Sequence, residues 1–226
     1  MRRAPTLLAV ALLGVLVGCT SAGGRQYEAQ MQKASDVNAQ LGAQYLQNGN
    51  LQLAKDKLDK ALRQNPDNVD AHATYALLSM RLDKPGQARD HFETALDESP
   101  DDPQLLNNYG TFLCEQGDYE DGIEHFLRAA DNKLYDTPAY AYANAGRCAR
   151  EAGMTGEARE YLRRALSADG RRASALYDLA TLELEQDRPG RAKRYIERYH
   201  DVATVAPESL WLAVRIERRL GNASEA

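Results

Sequence analysis

The residues of this 226-residue chain best suited to chemistry are its three cysteines and four histidines. A metal site needs such groups at short fixed spacing, and a covalent mechanism needs a nucleophile beside a base. His72, His91, His125 and His200 form no short-spaced pair, and neither HExxH nor CxxC occurs. His72 and His125 are read as polar contacts on helices. No glycine-rich phosphate loop follows a strand, because the pattern predicts no strands. The acidic pairs Asp97-Glu98 and Asp101-Asp102 fall at a junction and read as helix-end charge. Arg163-Arg164 and Arg171-Arg172 read as a solvated face, with a local basic patch as the alternative. The net charge of −5 argues against nucleic acid, which needs a positive surface to release counterions. The expectation is therefore a non-enzymatic protein without metal, cofactor or small-molecule substrate.

Cys19 stands apart. Arg2-Arg3 precede an apolar run from Leu7 to Val17, which ends in Leu16-Val17-Gly18-Cys19. The run is too short for a bilayer core of about 30 Å, which takes about 20 residues, and fits a signal peptide. Its end resembles the bacterial lipobox, in which small residues suit the peptidase and the cysteine thiol accepts diacylglycerol. That resemblance implies a signal peptide over 1–18 and a covalent lipid on Cys19. It also implies a periplasm-facing anchor in the inner leaflet of the outer membrane, because Thr20 follows the cysteine instead of the aspartate that retains lipoproteins at the inner membrane. Residues 19–34, with Ser21, Ala22, Gly23, Gly24 and Gln26, are read as the lipidated cysteine and a flexible tether.

The elements that position the remaining groups follow from an internal repeat. Gly42 and Tyr45 lead to Ala54, Leu58, Ala61 and Pro66. Ala88, Phe92, Ala95 and Pro100 recur 34 positions later, then Gly122, Phe126 and Ala129. After a two-residue insertion near Asp136-Thr137 come Gly146, Ala158, Leu162 and Ala165, then Ala180, Ala192 and Ile196. Small residues let paired helices approach, large ones fill the gaps beside them, and Pro66 and Pro100 end helices. Turns are read at Asn48-Gly49-Asn50, Lys84-Pro85-Gly86, Gln116-Gly117-Asp118, 153–156 and Arg188-Pro189-Gly190. The spacing resembles the tetratricopeptide motif. It implies an all-α, right-handed superhelical solenoid over 35–226, with repeats at 35–68, 69–102, 103–136, 139–172 and 173–206 and a partial sixth at 207–226. The array is expected to be cut short in that sixth unit, whose first helix, with Trp211, Leu212 and Ile216, is the alternative cap.

In such arrays the first helices line a concave groove. Positions 2, 5, 9 and 12 of each repeat are expected to face it, giving Leu46, Asp70, Ala73, Leu77, Met80, Gln104, Asn107, Thr111, Arg147 and Tyr177 as the candidate partner-binding set. Leu46, Leu77 and Met80 are read equally as receivers of an apolar segment or as packing between helices. The early groove is small and apolar, and the later part more polar or basic. Cys114 and Cys148 lie near the ends of adjacent first helices. In an oxidising compartment a disulfide and a pair of buried thiols both satisfy that placement. A bond closing about 35 residues would contribute roughly 3–4 kcal/mol.

One stretch is more specific. Leu105 to Cys114, Leu-Leu-Asn-Asn-Tyr-Gly-Thr-Phe-Leu-Cys, and the following Glu115-Gln116-Gly117-Asp118-Tyr119-Glu120 resemble the corresponding run of the type IV pilus biogenesis and stability lipoproteins, the PilF/PilW family. Leu41-Gly42-Ala43-Gln44-Tyr45-Leu46, the insertion Lys133-Leu134-Tyr135 and Gly146-Arg147-Cys148 resemble the family too, and the likeness covers about residues 35–226. Gly122 departs from the usual alanine. The resemblance implies a secretin pilotin that binds the pilus secretin and promotes its outer-membrane placement and multimer assembly. The rival reading is a generic periplasmic repeat scaffold for another envelope complex.

Overall fold

The computed structural model describes residues 16–222, with side chains from Gly23 onward. Most of the signal peptide expected at 1–18 therefore lies outside the described residues, and Cys19 is described by its backbone alone. The described residues form eleven α-helices and no strand. None of these helices is long and apolar enough to cross a membrane. They divide into two compact units, up to Glu98 and from Ser99 onward.

The first unit holds α1 (Leu16–Gln47), α2 (Leu51–Gln64), α3 (Val69–Arg81) and α4 (Pro85–Glu98). The flexible tether expected over 19–34 is instead helical, because α1 runs through it. From Glu28 the chain is rich in Ala, Gln, Met and Lys, strong helix formers that outweigh the Gly23-Gly24 pair. Residues 23–30 are exposed, so this stretch projects beyond the packed repeats. Below it Ala39, Leu46, Ala54, Leu58, Ala61, Ala71, Tyr75 and Leu78 form a core. Gly42 is required there, since a Cβ at that position would lie 2.7 Å from Leu58 Cγ. Asn68 ties the repeats together. Its Oδ1 accepts from Ala71 N (2.8 Å), capping α3, while its Nδ2 donates to Ser35 Oγ (3.0 Å) and Asp36 Oδ1 (2.8 Å) of α1.

The second unit contains α5 (Pro103–Gln116), α6 (Tyr119–Asp131), α7 (Pro138–Glu151), α8 (Thr155–Ala168), α9 (Ala173–Glu185), α10 (Pro189–Val202) and α11 (Pro207–Leu220). Phe126, Ala145, Cys148, Ala158, Leu162, Leu179 and Leu182 pack in one cluster. Ala180, Leu184, Ala192, Ile196, Leu212 and Ile216 pack in a second, which seats α11 on α9 and α10. Trp211, named with Leu212 and Ile216 in the alternative reading of α11 as a cap, is exposed, with the Arg218 guanidinium 5.9 Å over its ring. Two turns also differ from their expected position. Pro85 and Pro189 start helices, where a missing N–H costs nothing, and Asp83 (φ +54°) and Asp187 (φ +53°) make the reversals instead.

Candidate functional site

Within each unit the first helices of successive repeats lie side by side, α1 with α3, then α5, α7, α9 and α11. This face carries the candidate groove residues. Positions 2 and 9 are accessible in every repeat: Asp70, Gln104 and Arg147 are exposed, and Leu77 and Thr111 half-buried. Ala73, Met80 and Tyr177 are also half-buried. Leu46 and Asn107 do not line an open groove. Leu46 belongs to the core of the first repeat, where α1 meets α2. Asn107 is 2% exposed because position 5 lies against the neighbouring first helix, and its Oδ1 accepts from Asn144 Nδ2 at 3.0 Å.

Cys114 and Cys148 are joined as a disulfide between α5 and α7, their Cα atoms 5.9 Å apart. This pairing explains Gly122. A Cβ at that position would stand 2.6 Å from Cys114 Sγ and 2.9 Å from Gly110 O, so the alanine of the other repeats does not fit beside a bonded Cys114.

Beside the disulfide is a cavity of about 240 Å³, lined by Thr111, Glu115, Asn144, Arg147 and Glu151 among others. Arg147 is held in place by its neighbours, Nη2 donating to Asn144 Oδ1 at 3.0 Å. A second cavity of about 490 Å³ also reaches Arg147 and is lined by Arg150, Ser174, Tyr177, Asp178, Tyr199 and Glu208. Asp178 is 6% exposed, and burial pushes its carboxyl up to about 6 although Arg150 and Arg147 pull it down. Sequence reasoning passed over Asp178. Its signal was the sixth position of the five full repeats, which is polar in each: Gln40, Thr74, Asn108, Asn144 and Asp178.

Two polar clusters outside these cavities were also missed. His72 Nδ1 and His91 Nδ1 are 2.9 Å apart, and His72 Nε2 donates to Pro66 O at 2.7 Å. His72 is therefore a buried inter-helix contact, paired with His91 across a sequence separation that hid the pair. Burial, with His72 adding to it, holds the His91 imidazole below its ordinary value. Tyr75 stacks on His91, and the Tyr75 hydroxyl donates to Asp59 at 3.0 Å. Glu183, fully buried, accepts from Arg159 Nε at 2.8 Å, with Arg188 and Arg191 at 3.6 and 4.0 Å. It occupies the eleventh position of its repeat, where the four preceding repeats carry Tyr45, Ser79, Leu113 and Ala149. Among the described residues no group of three His, Cys, Asp or Glu side chains could hold a metal ion.

Paired antiparallel helices at this period, with small residues at their close approaches, define a tetratricopeptide-repeat protein. Two tetratricopeptide-repeat family models match accordingly, over residues 40–103 and 101–171. Over 213 residues the chain is 30% identical to the type IV pilus assembly protein PilF of Pseudomonas aeruginosa, spanning 92% of this chain and 84% of PilF. The crystal structure of PilW, a widely conserved type IV pilus biogenesis factor, matches with a TM-score of 0.79 at 30% identity, over 84% of this chain and 87% of PilW. The structure of P. aeruginosa PilF matches with a TM-score of 0.77 at 29% identity, over 86% and 88%. The chain belongs to the PilF/PilW family of tetratricopeptide-repeat proteins.

Proposed function

We propose that the chain is a lipid-anchored outer-membrane scaffold for type IV pilus biogenesis. It works by holding protein partners of the pilus machinery on the face of its first helices. The supporting observation is the match to PilF, which spans nearly the whole of both proteins. In this reading Cys19 carries acyl chains that keep the protein at the membrane surface, each buried CH₂ contributing about 0.8 kcal/mol. The partner is the pilus secretin. The protein carries a secretin subunit to the outer membrane and promotes its assembly into multimers.

Deleting the gene and scoring heat-stable secretin multimers and surface pili tests this reading. Loss of both, restored by the wild-type gene and not by a Cys19→Ala gene, is the expected result. Unchanged multimers and pili in the deletion strain would overturn it. Restoration by the Cys19→Ala gene would remove the anchoring part alone.

A further inference from the structure

The two cavities that share Arg147 have linings that specify a ligand class. The larger one holds two cations, Arg147 and Arg150, and two acids, Asp178 and Glu208, with Tyr177 and Tyr199 beside them at a ring separation of 5.7 Å. Such a balanced lining does not suit a ligand of one sign, such as a phosphate or a lipid headgroup. Among the described residues no donor stands within hydrogen-bond distance of Asp178. Its nearest cation, Arg150 Nη2, is 3.9 Å away, while Arg150 Nη1 is engaged by Glu185 at 3.1 Å. A carboxylate this deeply buried is costly without a hydrogen bond, and it faces an open cavity. Arg147 is the one residue common to both linings, and the chain Asn107–Asn144–Arg147 fixes its guanidinium.

We propose that these cavities are two consecutive subsites for one extended polypeptide segment of the partner. A main-chain carbonyl of that segment accepts from Arg147 between the cavities, and an N–H donates to Asp178 in the larger one. An extended main chain offers a donor and an acceptor with no net charge, which is what the lining asks for. Alternate side chains of an extended segment lie about 7 Å apart and enter the two cavities that share Arg147. The inference rests on the reading that the first-helix face binds protein, and it names where and through which groups.

The geometry carries a pH signature. The bound N–H favours ionised Asp178, so binding weakens as the carboxyl protonates, at about pH 6 and below. The titratable and charged groups around Asp178 are Arg147, Arg150 and Glu151 on α7, Glu185 on α9, Tyr199 and His200 on α10, and Glu208 on α11. A signature that persists without Asp178 would belong to one of those groups.

The test uses purified full-length protein and a phage-displayed library of short random peptides as the probe. An enriched peptide is synthesised, and its affinity is measured by fluorescence anisotropy at about pH 7.5 and about pH 5. Arg147→Ala and Asp178→Asn are each expected to weaken binding about tenfold, and Lys60→Ala, at an exposed position of α2 in the other unit, to leave it unchanged. The wild type is expected to bind about tenfold more weakly at the lower pH, and Asp178→Asn to lose that difference. Arg147 is exposed, so its variant folds even where Asp178→Asn does not, and Tyr199→Ala then replaces the latter. Failure to enrich any peptide, or affinities within about twofold of wild type for Arg147→Ala and its companion, would overturn the proposal. No pilus or secretin is present, so such a failure stays separate from the outcome of the gene deletion.

Discussion

Replacing Glu183 by alanine should release the fifth repeat from the fourth. Glu183 is fully buried on α9 and accepts from Arg159 of α8 at 2.8 Å, where Arg159 is 18% exposed. Arg188 and Arg191, at 3.6 and 4.0 Å, are about half exposed and return to water at little cost. The penalty is therefore concentrated in Arg159, which loses its acceptor in a partly dry site, and in the vacated volume. Removing one partner of a buried pair costs about 3–5 kcal/mol, and partial exposure of Arg159 places this case near the lower end, about 3 kcal/mol. Glu183→Gln keeps an acceptor for Arg159 and should lose only about 1–2 kcal/mol. Urea unfolding followed by circular dichroism, with Arg159→Met completing a double-mutant cycle, measures these values. The cycle should show a coupling above about 1 kcal/mol, and the Arg159→Met, Glu183→Leu pair should recover most of the loss. A loss below about 1 kcal/mol for Glu183→Ala, or additive single changes, would refute the clasp.

Four further expectations concern the packing and the titrating groups. Gly122→Ala must displace Cys114 Sγ or the backbone at Gly110, and should cost about 1–3 kcal/mol by thermal unfolding; an unchanged midpoint would contradict the crowding. Replacing Cys114 and Cys148 by serine removes a cross-link over a sequence separation of 34, and should lower stability by roughly 3–4 kcal/mol in urea. A smaller loss under oxidising conditions would mean that the bond contributes little. Asp178 titrates at about 6 when folded and about 3.9 when unfolded, so the folded state holds the extra proton between these values. Stability of the second unit should then fall as pH rises through that window, by up to about 3 kcal/mol, and Asp178→Asn should flatten the slope. His91 is shifted below 6.5 by burial, so the unfolded chain binds its proton first. The first unit should therefore lose stability as pH drops below about 6.5, and His91→Phe should remove the loss; an unchanged pH dependence would contradict this.

The helix pairs were legible because their spacing is set by contact. Gly42, Gly110 and Gly146 each stand where a Cβ would meet the partner helix, so the period shows through unrelated surface residues. The cysteine positions were legible for the same reason, since adjacent first helices share a frame. What one helix reveals about its accessible face is less complete. Leu46 and Asn107 fall at inward positions of their own helices, yet a neighbouring helix covers them, and the sequence of one repeat does not say which positions that neighbour reaches. The His72–His91 pair and the Arg159–Glu183 clasp join residues 19 and 24 positions apart, on helices whose relative rotation no short motif encodes. The stretch 19–34 misled because glycine and serine suggest a coil, while the helix formers after Glu28 carry α1 through it.

In the proposed function the pilus secretin sits on the first-helix face of the second unit. A photo-crosslinking amino acid at Thr111 in living cells, with one at the exposed Glu160 of α8 as control, tests it most directly. An ultraviolet-dependent adduct containing the secretin is expected at position 111 and none at 160. An adduct at 160 alone, or no secretin adduct at 111 in cells that make pili, would contradict it.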